Sequence, residues 1–125
     1  MIAADTSSII AFLIGDSGKD VELVQRALDG QLLVFPPVVI SEMLSDPKLE
    51  PDLWGALRSV PVMGLVDGFW ERVGRTRARL LQRRVKASLA DALIAQSCID
   101  SRLPLITRDS DFRHFAKHCG LKLLT

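Results

Sequence analysis

Four carboxylates stand where they could act together: Asp5, Glu42, Asp91 and Asp109. Asp5 stops the apolar run Ile2-Ala3-Ala4, and Asp109 follows Leu105-Ile106-Thr107. Glu42 lies among Ile40, Met43 and Leu44, and Asp91 among Ala90, Ala92 and Leu93. Burying an unpaired charge in such surroundings is unfavourable by several kcal/mol, and a bound cation removes that penalty. Oxygen-only donors suit magnesium or manganese, which keep several waters, whereas the absence of histidine from the set argues against zinc. Crowded acids raise one another's pKa values, so the set should titrate as a unit, stay ionised mainly with metal bound, and couple metal binding to stability. Each acid also has a plainer reading. Asp5 and Asp109 can be N-caps, Ser88-Leu89-Ala90-Asp91 matches a capping box, and Glu42 can be an exposed first-turn acid.

Which reading holds depends on the elements that carry the four. A strand over 2–4 leads through the cap residues Thr6-Ser7-Ser8 into a helix over 9–14. Helical spacing of Val21, Val24, Ala27 and Leu28 ends at Gly30, a strand follows over 32–35, and Pro36-Pro37 opens a helix that carries Glu42 one turn in. After a short helix through Leu53, Trp54 and Leu57, the run 60–65 has the character of a strand. Asp67 can cap a long helix with Trp70, Val73, Leu80 and Leu81 inward and Arg72, Arg75, Arg79, Arg83 and Lys86 on a basic face. Ser88 opens a helix over 89–99, apolar almost all round and therefore central. A strand over 103–107, a helix over 109–118 closed by Gly120, and a strand over 121–124 complete the chain. Strands alternating with helices predict an α/β fold, a three-layer α/β/α sandwich around a mostly parallel sheet of four to five strands. Ligands of such a sheet collect beyond the carboxyl ends of its strands, where Asp5 and Asp109 stand and where Glu42 and Asp91 begin their helices.

With 125 residues, 48% of them hydrophobic and 25% charged, the composition is that of one packed domain spanning 1–125. Cys98 and Cys119 form no Cys-x-x-Cys pattern and suit two reduced thiols. No secretory signal or membrane-length apolar stretch is visible, so the expected location is cytoplasmic. Net charge is only +1, but it is unevenly distributed. Arg72, Arg75, Arg77, Arg79, Arg83, Arg84 and Lys86 crowd 71–86 against Glu71 alone, while acids predominate before residue 70. An acidic and a basic part can meet around one ligand.

Asp5-Thr6-Ser7, Ser41-Glu42-Met43, Asp91-Ala92-Leu93-Ile94-Ala95 and Thr107-Arg108-Asp109-Ser110-Asp111-Phe112 resemble, in order and spacing, the four signatures of PIN-domain nucleases. Within that family the chain is most similar to VapC-type toxins of toxin–antitoxin pairs. The resemblance implies an Mg2+- or Mn2+-dependent endoribonuclease leaving 5′-phosphate and 3′-hydroxyl ends. Asp5, Asp91 and Asp109 would be metal ligands and Glu42 a ligand through water or an orienting group. Ser7 and Thr107 would support the carboxylates, and Asp111 is a weaker candidate. It also implies an RNA substrate, a small antitoxin protein and a homodimer. One departure is that many members carry a glycine several residues before the Asp91 position, where this chain has Arg83-Arg84-Val85-Lys86.

The basic helix face suits RNA phosphates, an acidic antitoxin segment or plain solvation. Met43, Leu49, Leu53, Trp54 and Leu57 suit a partner surface or core packing. His114 and His118 lie one turn apart without an evident third zinc ligand. An aspartyl-phosphate phosphatase would need a second acid where Ser7 stands, and a dinucleotide-binding domain would need Gly-x-Gly-x-x-Gly after the first strand. The remaining rival is a non-catalytic binding module on this fold, against which the four intact acids count.

Overall fold

The alternation of buried apolar runs and helices becomes a parallel sheet with helices packed around it. The computed structural model describes residues 1–125. Strand β1 (Ile2–Ala4) lies between β2 (Leu33–Val34) and β3 (Leu105–Ile106), parallel to both. The expected outer strands shrink to single parallel bridges, Phe35 with Val62 and Leu105 with Leu123. Each bridge has two backbone hydrogen bonds, Phe35 N–H to the Pro61 carbonyl and Met63 N–H to Phe35 on one side, Leu105 and Leu124 on the other. Three regular strands therefore stand where four to five were expected. Pro61 has no N–H to extend its ladder.

The helices are α1 (Thr6–Leu13), α2 (Lys19–Asp29), α3 (Pro37–Ser45), α4 (Pro51–Gly55), α5 (Phe69–Gln82), α6 (Leu89–Ser101) and α7 (Phe112–Cys119). Helix α2 lies against β2 and β3, α6 packs on α3, α5 and α7, and α1 joins α2 to α3. One cluster of 26 buried residues forms the core, with Phe35, Phe112, Phe115, Leu80 and Ile94 among its largest members. No helix is long and apolar enough to cross a membrane. Both cysteines are free thiols.

Several local expectations change. Helix α1 begins at Thr6, with Asp5 as its N-cap, and Thr6-Ser7-Ser8 form its first turn. Helix α5 is capped by Gly68 in the left-handed region, not by Asp67. Its inner face is Phe69, Val73 and Leu80, while Trp70 is 66% and Leu81 46% exposed. Met43 and Leu57 are core residues and leave the candidate partner surface. Arg84 takes φ +59° in the loop before α6. The chain thus makes a left-handed turn there without a glycine, at a strain of about 1 kcal/mol.

Candidate metal centre

Asp5 is fixed before any ligand arrives. As the N-cap of α1 its Oδ1 accepts from Ser8 N–H at 3.1 Å, which satisfies an otherwise orphaned helix donor. Thr107 Oγ1 donates to Oδ2 at 2.7 Å, and Ser7 Oγ lies 3.0 and 2.9 Å from the two oxygens. The residue is only 3% exposed. Burial pushes its carboxyl above the ordinary range, and the bonds from Thr107, Ser8 and Ser7 pull in the opposite direction. Asp5 is thus the N-cap of α1 and at the same time a buried carboxylate facing the pocket that holds the other acids.

Glu42 sits on α3, its Oε1 accepting from Thr6 Oγ1 at 2.7 Å. It is in the second turn of that helix, since Pro37 is the first helical residue. Ser88 caps α6, with Asp91 N–H donating to its Oγ at 3.1 Å. The Asp91 carboxyl is pushed up to about 6, first by burial and then by the charge of Asp109, with Glu42 and Asp111 adding to it and the Ser88 hydroxyl pulling the carboxylate the other way. Asp109 precedes α7, and its N–H donates to Thr107 Oγ1 at 3.0 Å. Thr107 thus binds a carboxylate on one side and orients the next acid on the other.

One pocket is lined by Asp5, Thr6, Ser7, Glu42, Asp91, Ile94 and Asp109. It brings together all four acids singled out by sequence. Asp91, Asp109 and Asp111 can also each offer a ligand oxygen within 4.8 Å of the others. Asp111 is therefore closer to the centre than its position one step further along suggested. Its N–H donates to Asp109 Oδ1 at 2.9 Å, because 109–111 is a turn and α7 starts only at Phe112. A hard divalent cation fits this donor set, which is all oxygen, partly desolvated and mutually repulsive without a counter-charge. Lys86 Nζ supplies one partial counter-charge, 3.1 Å from Asp111 Oδ2. His114 and His118 belong to no such group.

The basic face divides. Arg72 grips Asp100 with Nε at 2.9 Å and Nη2 at 2.6 Å and donates to the Asp67 and Val66 carbonyls, so it ties α5 to α6 and is not a free phosphate contact. Arg75, Arg79, Arg83 and Lys86 remain exposed. Thr6 was missed as a site residue, although its place beside Asp5 was a signal. Asp20, bonded to Ser8 Oγ at 2.8 Å, was visible in the sequence only as an acid near a helix start.

The PIN domain family profile matches residues 2–118. No curated protein sequence matches. Solved structures with a similar fold include VapBC2 from Rickettsia felis bound to a DNA fragment from their promoter, at 18% identity and TM-score 0.75 over 98% of this chain and 97% of that one. FitAcB from Neisseria gonorrhoeae is 15% identical with TM-score 0.71 over 100% and 97% of the two chains. VapBC-5 from Mycobacterium tuberculosis, of the VapBC family of toxin–antitoxin systems, is 17% identical with TM-score 0.67 over 98% and 95%. At these identities the neighbours bear on the fold, and the profile spanning nearly the whole chain bears on descent: this protein belongs to the PIN domain family.

Proposed function

We propose that residues 1–125 form one PIN-like endoribonuclease unit, dependent on Mg2+ or Mn2+, that serves in the cytoplasm as the toxin of a toxin–antitoxin pair. The observation that carries this reading is the pocket shared by Asp5, Glu42, Asp91 and Asp109 beside the carboxyl ends of β1 and β3. Asp5, Asp91 and Asp109 would hold the ion, with Asp111 within reach of the last two. Bound there, it would supply a water of lowered pKa and offset charge on the phosphate oxygens. Ser7 and Thr107 hold Asp5 in place, and Thr6 occupies one Glu42 oxygen, leaving the other to orient a nucleophilic water in line with phosphorus. The toxin role is supported by family membership together with the likeness in fold to VapBC-5 of the toxin–antitoxin systems.

A small antitoxin and a second copy of the chain are the proposed protein partners. The apolar surface available to them includes Trp70 and the groove it forms with Pro37, Val38, Leu65 and Leu93. Purified protein is expected to cut a structured RNA with Mg2+ or Mn2+ and to stop in chelator. Undiminished cleavage in chelator sinks the metal mechanism, and no cleavage with either ion favours the binding module.

RNA phosphates would run along Arg75, Arg79, Arg83 and Lys86. Replacing Arg75 and Arg79 with Glu should weaken RNA binding by about 10-fold or more at low salt and flatten its salt slope by about 0.7–0.9 for each phosphate no longer neutralised. An unchanged slope assigns the face to solvent or a protein.

A further inference from the structure

The acidic pocket is one side of a closed ring of hydrogen bonds. From Asp5, the ring passes through Ser8, whose N–H donates to Asp5 and whose Oγ donates to Asp20 Oδ2 at 2.8 Å. Arg108 then forks onto Asp20, with Nε 2.8 Å from Oδ2 and Nη2 3.2 Å from Oδ1. The backbone leads from Arg108 to Thr107, and Thr107 Oγ1 closes the ring on Asp5 Oδ2. Three parts of the chain meet in it: the start of α1, the start of α2 and the segment 107–111 before α7.

Lying between Thr107 and Asp109, Arg108 invites a reading as a contact for substrate phosphate. Its bonds argue otherwise. Besides Asp20 it donates to Asp16 Oδ2 at 2.9 Å and to the Ser17 carbonyl at 3.0 Å, so two carboxylates already neutralise it. Asp20 is buried, at 6% exposure, and Arg108 is its only cationic partner. The turn is shaped around this pair. Gly18 has φ +147°, and a Cβ there would lie 2.6 Å from Asp20 Oδ1 and 3.1 Å from Arg108 Nη2.

We propose that Arg108 is a positioning residue: its forked bond to buried Asp20 fixes segment 107–109 against the start of α2, and thereby sets the separation of the Asp5 and Asp109 carboxylates at the metal centre. This rests on the metal-dependent reading given above. Groups bonded directly to a metal ligand typically change metal affinity by about 10–100-fold, because they hold ligand geometry that the ion would otherwise have to impose, and Arg108, which acts through its chain neighbours Thr107 and Asp109, belongs at the lower end of that range.

The test is Mn2+ binding measured by calorimetry on the full chain, wild type against Arg108→Gln, Arg108→Lys and the double variant Asp20→Asn/Arg108→Gln. Arg108→Gln should bind Mn2+ about 10-fold more weakly. Arg108→Lys, which keeps the charge and loses the fork, should also weaken severalfold, and it carries the test if the glutamine variant does not fold. The double variant should match Arg108→Gln within about twofold, since the two residues act as a unit. Metal-free RNA binding and its salt slope should stay unchanged, while the Asp109 amide exchanges faster in chelator. Wild-type Mn2+ affinity in both single variants overturns the proposal. So does weakened RNA binding with a flatter salt slope, which would make Arg108 a phosphate contact. Wild-type protein that binds no Mn2+ instead removes the metal reading itself.

Discussion

Asp91→Asn is expected to lower RNA cleavage by more than about 100-fold and, in chelator, to make the protein more stable. The first effect follows because a direct ligand should matter more than an outer partner, whose loss already changes affinity or activity by about 10–100-fold. The second follows from the Asp91 carboxyl standing at about 6, raised by burial and by Asp109, Glu42 and Asp111. A folded-state pKa above the unfolded 3.8 means that the native state binds the proton more tightly. Asp91 therefore makes metal-free protein lose stability as pH rises from about 4 to about 7, a loss the asparagine avoids. The carboxyl keeps partial contact with water, so the gain expected at pH 7 is about 1–2 kcal/mol, or a few degrees in Tm. Thermal melts in chelator across that pH range check it. A variant less stable than wild type at pH 7 would show that the Asp91 charge is already compensated without metal.

Thr107→Val should also impair cleavage, by about 10–100-fold, but with the opposite effect on stability. Valine keeps the shape and removes both the donor to Asp5 and the acceptor for Asp109 N–H. Leaving buried partners unsatisfied destabilises by about 1–3 kcal/mol. Because the Thr107 bond opposes the burial that raises Asp5, its loss should push Asp5 higher still. Protons then compete with metal to a higher pH, and the acid limb of the activity profile should move upward. Melting curves and a pH–rate profile on one preparation measure both effects. An unmoved acid limb would separate Thr107 from the ionisation of Asp5.

The site was legible in the sequence where chemistry follows from position along the chain. A strand that stops at an acid, or an acid just inside a helix that follows a strand, belongs at the carboxyl edge of a parallel sheet, and Asp5, Glu42, Asp91 and Asp109 all line one pocket. What stayed hidden depends on pairings distant in sequence. Nothing local shows that Arg72 meets Asp100, or that Arg108 reaches back to Asp20. Asp111 is the weaker candidate by sequence because the motif places it one step further into the last helix, whereas that helix starts at Phe112 and Asp111 comes within reach of Asp91 and Asp109. On α5 the expected inner face holds at Val73 and Leu80 and fails at Trp70 and Leu81. Phe69 belongs to the stripe with Val73 and Leu80, and Trp70 and Leu81 lie off it toward solvent. The outer strands were read from apolar runs, but two backbone bonds apiece are all that those segments contribute to the sheet.

Those one-residue bridges at Val62 and Leu123 bear on how the molecule can associate. A long, flat outer strand is a template onto which another chain can add by backbone pairing, the usual route to strand exchange and fibrillar aggregation. Here each margin of the sheet ends almost as soon as it begins, so an approaching chain finds very little free backbone ladder to extend. Association then falls to side chains, such as those of the groove around Trp70 and Leu65, where single substitutions can alter the choice of partner without disturbing the strands that lead to Asp5 and Asp109.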